Sequence, residues 1–300
     1  MIDFQPVSLK DKAIYERYLF DDGEHGCECS FANRYLWGRQ SATELHDHMV
    51  LFSQFGHRGV YPYPLGHGDK RNVLDAIIAD ASERGIDCRI TGLGAAARQT
   101  LEEYYPGKFR FHCDRDSYDY VYDIDNLADL KGRKYQRKRN HHNRFRSLFP
   151  DYAVQPLDES NIPAVRQMIG QWYETKQQEH ADMDYRMEQE ALSKALFHYR
   201  ELGLEGLVLM NGADVLAVTL GSQMAEDTFD VHFEKARAET DGAYTAINCE
   251  FARYIRNKYP QIRFLNREED MGLEGLRKAK ESYLPHHMVE KCWASLLEHA

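Results

Sequence analysis

The stretch QIRFLNREEDMGLEGLRKAKESYLP, Gln261 to Pro285, is the one around which the rest of the chain organises itself. Ile262 to Leu265 is a short apolar run that suits a buried strand. Asn266-Arg267-Glu268-Glu269-Asp270 then packs an amide, a guanidinium and three carboxylates into a connector. After Gly272, the spacing of Leu273, Leu276, Ala279, Lys280 and Tyr283 predicts a helix with these residues roughly on one face. Pro285 closes it. A strand that feeds polar groups onto a helix end is a common way to build a site. An acidic turn followed by an ordinary amphipathic helix reads equally well from the spacing alone.

Working outward, Tyr152 to Leu157 predicts a strand, and helices follow from Asn161 to about Gln177 and from Tyr185 to Leu202. Leu204 to Met210 is a strand, Asn211-Gly212 a hairpin signal, and Val215 to Gln223 the return strand. Thr228 to Glu234 continues the meander. A helix over Ala243–Lys258, the opening stretch and a last strand from Met288 to Trp293 complete the order. The first half gives a blurred version: strands over Ile2–Val7, His48–Phe55, Asp87–Thr91 and Tyr118–Ile124, with helices between them. Asp21 to Gly26 reads as a loop, and Cys29 to Trp37 resists assignment. Asp129 to Phe149 reads as one long basic helix, ended by Pro150-Asp151. The fold class is therefore α+β, with two similar domains, 1–150 and 151–300. Each has a central mixed, mostly antiparallel sheet flanked by helices.

Composition excludes several classes. A net charge of −10 argues against a generic polyanion binder. No run reaches the roughly 18 apolar residues that a membrane span needs. The amino terminus lacks the pattern of a secretory leader, so a cytoplasmic location is expected. The six cysteines form no metal-ligand spacing and are expected reduced and mostly buried. No metal is expected.

Three constellations could carry chemistry. KGRKYQRKRNHHNRFR, Lys131 to Arg146, holds eight basic residues and no acid. A basic helix on an acidic body is a localised anion site, for RNA, a lipid headgroup or a nucleotide cofactor. Lys134, Arg137, Lys138 and Arg139 would line it, with His142 as a further donor. The same run would also serve as a solvated basic face. Gly66-His67-Gly68-Asp69-Lys70-Arg71 lies between an extended segment and a helix. Gly66 and Gly68 would let backbone N–H groups approach a phosphate, and Lys70 adds charge. In the opening stretch, Glu268, Asp270 and Tyr283 are candidates for proton transfer, and Asn266, Arg277 and Lys280 for holding an acyl oxygen. Asn266, Asp270, Arg277, Lys280 and Tyr283 are expected to converge beside the basic helix, either as a site or as a salt-bridge clamp.

Lys131 to Phe145, GAYTAINCEFA (Gly242 to Ala252) and FLNREEDMGLEGLRKAKESYLP (Phe264 to Pro285) together resemble a family of mostly uncharacterised bacterial proteins. It is grouped with the C-terminal domain of phosphatidylglycerol lysyltransferase. The resemblance covers nearly the whole chain. It implies two tandem GNAT-like acyltransferase domains, the fold also used by Fem-type peptidyltransferases. In the characterised relatives an amino acid passes from aminoacyl-tRNA to a lipid or a peptidoglycan precursor. Two features depart from relatives: there is no membrane domain, and Arg237 to Ala243 does not fit the acetyl-CoA loop of GNAT enzymes. The expected activity is transfer of an acyl or aminoacyl group from an activated donor to an amine or hydroxyl. The donor would be a phosphate-bearing aminoacyl-tRNA or acyl-CoA at the basic helix. The acceptor would be a small molecule, lipid or peptide. The alternatives are an acyl-CoA-dependent N-acyltransferase and a non-catalytic polyanion-binding module.

Overall fold

The computed structural model describes residues 1–20, 26–38, 40–181 and 183–297. The loop expected from Asp21 lies, up to His25, outside the described residues. Two compact units emerge, and neither is continuous in sequence. One comprises Met1–Tyr120, Glu268–Arg277 and Met288–Ala300; the other comprises Val121–Arg267 and Lys278–His287. The chain thus leaves its first unit thirty residues before Pro150, and it returns there twice near its end.

The first unit contains β1 (Gln5–Pro6), α1 (Lys12–Phe20), α2 (Phe31–Trp37), β2 (Ser41–Leu45), β3 (His48–Phe55), β4 (Arg58–Pro62), α3 (Arg71–Arg84), β5 (Asp87–Leu93), α4 (Ala95–Tyr104) and β6 (Phe109–Cys113). The chain continues through β7 (Asp119–Asp123), α5 (Ile124–Asp129), α6 (Gln136–Leu148), β8 (Ala153–Pro156), α7 (Ile162–Glu179), α8 (Arg186–Phe197), β9 (Glu205–Asn211), β10 (Asp214–Gln223), β11 (Thr228–Ala236), α9 (Ala243–Lys258) and β12 (Phe264–Asn266). It ends with α10 (Glu274–Glu281), β13 (His287–Val289) and β14 (Cys292–Leu296). The described residues form two seven-stranded sheets, in the orders β1-β2-β3-β4-β5-β14-β6 and β13-β7-β12-β11-β10-β9-β8. Both are mixed and mostly antiparallel, with β4–β5 and β11–β12 as parallel pairs. Among the described residues no helix is long and apolar enough to cross a membrane.

Three sequence expectations need correction. The last strand is two strands, and β14 joins the first sheet between β5 and β6. Lys291 separates them because it points into a buried polar cluster instead of continuing a ladder. The pairing sets Cys292 opposite Cys113, with Cα atoms 4.3 Å apart, and the two form a disulfide. They are therefore not the reduced thiols expected. The long basic helix is interrupted: Leu130 and Gly132 take positive φ, and α6 begins only at Gln136. Asp123 caps α5 by accepting from the Asn126 N–H, so that short helix has its own start and stop.

In the second unit the core follows from apolar strands. Leu207 to Met210 and Val215 to Leu220 are buried without a break, as expected of central strands covered on both faces. Helix α9 adds Ala246, Ile247, Phe251 and Ile255, and Phe251 meets Phe229 edge to face at 5.9 Å. Between Leu220 and Gly221 the β10–β11 register slips, so that Phe233 stands opposite Leu220 and Val231 opposite Gly221. This bulge re-aims the side chains that follow it. Gly221 permits it, because a Cβ there would lie 2.2 Å from the Asp230 carbonyl oxygen.

Candidate active site

Within the second unit, β12 ends by presenting Arg267 to Glu234 on β11, with Nη2 3.0 Å from Oε1. Asn248 on α9 donates to the other Glu234 oxygen at 3.3 Å. The Arg267 guanidinium lies 4.9 Å from the Tyr283 ring centroid and 5.7 Å from that of Tyr122. Burial alone would lower the affinity of Arg267 for its proton, but Glu234 outweighs it and the guanidinium stays charged. Among the described residues its Nη1 is buried with no hydrogen-bond partner, as is the Oδ1 of Asn248. A buried donor and a buried acceptor left open beside one ion pair are costly unless a ligand group meets them.

Lys138 on α6 completes this cluster. Its Nζ sits 3.6 Å from the Tyr283 ring centroid. Burial, reinforced by Arg267, pushes its ammonium down to about 8. Tyr283 donates to Thr245 Oγ1 at 3.4 Å, and burial pushes its phenol up to about 12. Lys280, one turn earlier, is buried and donates to the Arg267 carbonyl, while its own carbonyl accepts from Tyr122. Asn266, also buried, directs its amide at Met224 Sδ, 3.8 Å away. The structure thus groups Lys138, Tyr283 and Lys280 around Arg267. Arg267, Glu234, Asn248 and Thr245 were not singled out from the sequence as site residues. The signals for them were the polar run after β12 and the acids that interrupt the otherwise apolar β11, TFDVHFEKA.

The first unit gathers the other part of the opening stretch. Arg277 grips Asp270 with two bonds, at 2.8 and 2.9 Å. Tyr120 at 2.5 Å, the Gly272 N–H at 2.9 Å and Arg115 at 3.2 Å add further donors. The Arg277 bonds foremost hold the fully buried Asp270 carboxyl far below the usual carboxylate range. Such a carboxylate is a weak base with its lone pairs occupied, the arrangement of a clamp. Glu268 accepts from Asn33 at 3.1 Å, and its carbonyl accepts from Tyr120 N–H.

The Gly66–Lys70 loop folds on itself: buried Lys70 donates to the Gly66 carbonyl. Gly68 has open space around its Cα at φ +85°. Along the basic stretch, Arg139 donates to the Leu130 and Gly132 carbonyls and closes the interruption before α6. His142 is buried, 3.7 Å from Glu250. Lys134 and Arg137 are exposed, as is Arg133. A separate donor set in the first unit, Cys27, Asp119 and Glu269, lies within 4.8 Å. The Lys291 ammonium stands among them, 2.6 Å from Asp119 and 2.9 Å from Glu269. Burial raises the Cys27 thiol well above its ordinary value.

The family model described as phosphatidylglycerol lysyltransferase, C-terminal, matches residues 23–295. A conserved protein of unknown function from Bacteroides thetaiotaomicron is 36% identical, with a TM-score of 0.94, over 99% of this chain and 100% of that one. L-PGS from Bacillus licheniformis superposes with a TM-score of 0.71 at 15% identity, covering 100% of this chain and 95% of the other. FemX does so with a TM-score of 0.62 at 10% identity, over 99% and 98%. No curated protein matches the chain.

Proposed function

The chain belongs to the phosphatidylglycerol lysyltransferase C-terminal family, and from that premise we propose that it transfers an aminoacyl group from aminoacyl-tRNA to an amine or hydroxyl acceptor. The fold by itself would not carry this, since one fold hosts many activities. The observation that supports the reading most is the open Arg267 Nη1 beside Glu234 and Asn248. An aminoacyl ester offers both halves of what that spot lacks. Its carbonyl oxygen accepts from Arg267, and its ammonium donates to the open Asn248 oxygen. Arg267 would then stabilise the oxyanion that forms on attack. Lys138, with a proton affinity close to working pH, would accept the proton of the attacking amine or hydroxyl. Tyr283 would orient Lys138 through its ring face. Asp270 and Arg277 have a positioning role, pinning the connector between β12 and α10.

The exposed Arg133, Lys134 and Arg137 supply charge for the phosphates of the donor. Filter binding of aminoacyl-tRNA and of acyl-CoA tests the donor. Affinity for aminoacyl-tRNA should fall steeply with salt and drop at least tenfold in Lys134→Glu, Arg137→Glu. Tight, salt-insensitive binding of acyl-CoA would favour the acyl-CoA-dependent reading instead. Binding of uncharged RNA with no release of the amino acid would favour a non-catalytic module.

A further inference from the structure

The two faces of the first unit's sheet differ in what they carry. On one, Cys88, Ile90, Phe109 and Ala294 pack with Val73, Leu74 and Ile77 of α3 and Leu101 of α4. Strand alternation sends the intervening side chains to the other face. There the register sets Val60, Arg89, Ser295 and Arg110 in one row across β4, β5, β14 and β6. Arg58 precedes Val60 by two residues on the same face, and Lys108 precedes Arg110 likewise, its carbonyl extending the ladder by accepting from the Leu297 N–H. Trp293 lies opposite His112, with ring centroids 4.9 Å apart. The Arg89 guanidinium carbon sits 3.9 Å from the Trp293 ring centroid. Arg58, Lys108, Arg110 and His112 are exposed, and Arg89 and Trp293 are half-buried.

Among the described residues Arg58, Arg89, Lys108 and Arg110 make no ion pair and no side-chain hydrogen bond. Asp87, opposite Arg58, is an acid on the same face. Burial first, then the neighbouring Arg58, loosens the hold of Arg89 on its proton, against the pull of Asp87. Unpaired cations thus gather on one face of a chain whose net charge is −10, a charge pattern complementary to a polyanion. A guanidinium stacked on a ring uses its flat face there and keeps its in-plane N–H donors for phosphate oxygens. Neighbouring strands lie about 4.8 Å apart, and two residues along a strand span about 6.6 Å. The cations are therefore spread to meet a row of phosphates, not a single one. The apolar side chains on this face, Val60 and Trp293, are half-buried, whereas a membrane surface calls for protruding ones. A strand face bearing both rings and cations is the form of a platform for unpaired nucleic acid.

We propose that this face, with Arg58, Arg89, Lys108, Arg110, His112 and Trp293, binds single-stranded RNA. The cations take the phosphates, and a base stacks against the Trp293–His112 rings. The aminoacyl-transfer reading supplies the source, an unpaired segment of the donor tRNA, and the proposal rests on that reading for the source alone.

The test uses the full chain and a short fluorescein-labelled single-stranded RNA, followed by anisotropy, with the same RNA as a duplex and phosphatidylglycerol vesicles alongside. The single strand should bind at least tenfold more tightly than the duplex, and at least tenfold more weakly to Arg89→Glu, Arg110→Glu. Trp293→Leu should weaken binding at least fivefold with its salt dependence kept, because stacking releases no counterions. Thiouridine-substituted RNA, irradiated with the unaltered chain, should cross-link to a peptide carrying Trp293 or His112, a readout that needs no variant to fold. Equal affinity for the duplex, unchanged affinity in the folded double variant, or cross-links confined to α6 would each overturn the proposal. Preference for the vesicles, lost in the same double variant, would overturn it in favour of a membrane surface. Cross-links at Trp293 without transfer from any aminoacyl-tRNA would sink the transfer reading alone. Full transfer and full tRNA affinity in the folded Arg89→Glu, Arg110→Glu would sink the platform alone.

Discussion

Asp270→Asn separates structure from chemistry in the opening stretch. The carboxylate is fully buried and accepts from Arg277 twice, from Tyr120, from Arg115 and from the Gly272 N–H. An amide of the same size keeps the volume, removes the charge and turns one acceptor into a donor facing other donors. Removing one partner of a buried, hydrogen-bonded ion pair costs about 3–5 kcal/mol. The Arg277 side chain is 30% exposed and can partly rehydrate, which points to the lower end, about 3 kcal/mol. At this chain length each kcal/mol moves the melting temperature by roughly 2 °C, so a fall of about 6 °C is expected. Urea unfolding and calorimetry measure the loss, with transfer assayed per folded molecule at 20 °C. Activity per folded molecule should stay within about threefold, a change of well under 1 kcal/mol in barrier. The acid limb gives a second check. The folded value lies below the unfolded one, so this stability is fully present above the ordinary carboxylate range and is lost only as pH falls toward the folded value. An unchanged melting temperature with transfer abolished would refute the clamp and return Asp270 to the chemistry.

The wild-type transfer rate should rise with pH through a midpoint near 8, because Lys138 accepts a proton only when neutral; Lys138→Met should flatten that rise. Since its folded value lies below the ordinary lysine value, the cost of keeping Lys138 charged is full below pH 8. Stability therefore rises modestly between pH 8 and about 10.4, as urea titrations at several pH values would detect. Arg267→Lys keeps the charge but loses the planar fork, and kcat/KM should fall about 100-fold, or roughly 2.7 kcal/mol, with little change in melting temperature. Gly221→Ala forces a Cβ against the Asp230 carbonyl oxygen; a loss of about 3 kcal/mol in urea unfolding is expected from overpacking.

The two-sheet α+β architecture was readable because the second half alternates long apolar strands with helices of clear period, Leu204–Met210 and Ala243–Lys258 among them. What escaped depends on tertiary partners. Nothing local says that β14 crosses back to pair with β5 and β6, so the contiguous 1–150 and 151–300 division did not anticipate the two returns of the chain. Leu130 adopts positive φ inside a helical pattern because Arg139 and the α5 cap impose it, and propensity favours a continuous helix there. The connector Asn266–Asp270 was legible as polar and important, but not how its members divide: Asp270 finds Arg277, and Arg267 finds Glu234. The bulge between Leu220 and Gly221 was invisible because nothing local marks a one-residue slip in register, which decides which side chains share a face.

The most direct test is movement of label. The chain is incubated with a mixture of carbon-14 aminoacyl-tRNAs and an extract containing both lipids and soluble amines, and products are separated from RNA. Label should leave the tRNA for an acceptor bearing an amine or hydroxyl, and Arg267→Met should lower the rate at least a hundredfold while remaining folded. Label that stays on tRNA at the buffer rate, or that moves equally fast with Arg267→Met, would contradict aminoacyl transfer at this cluster.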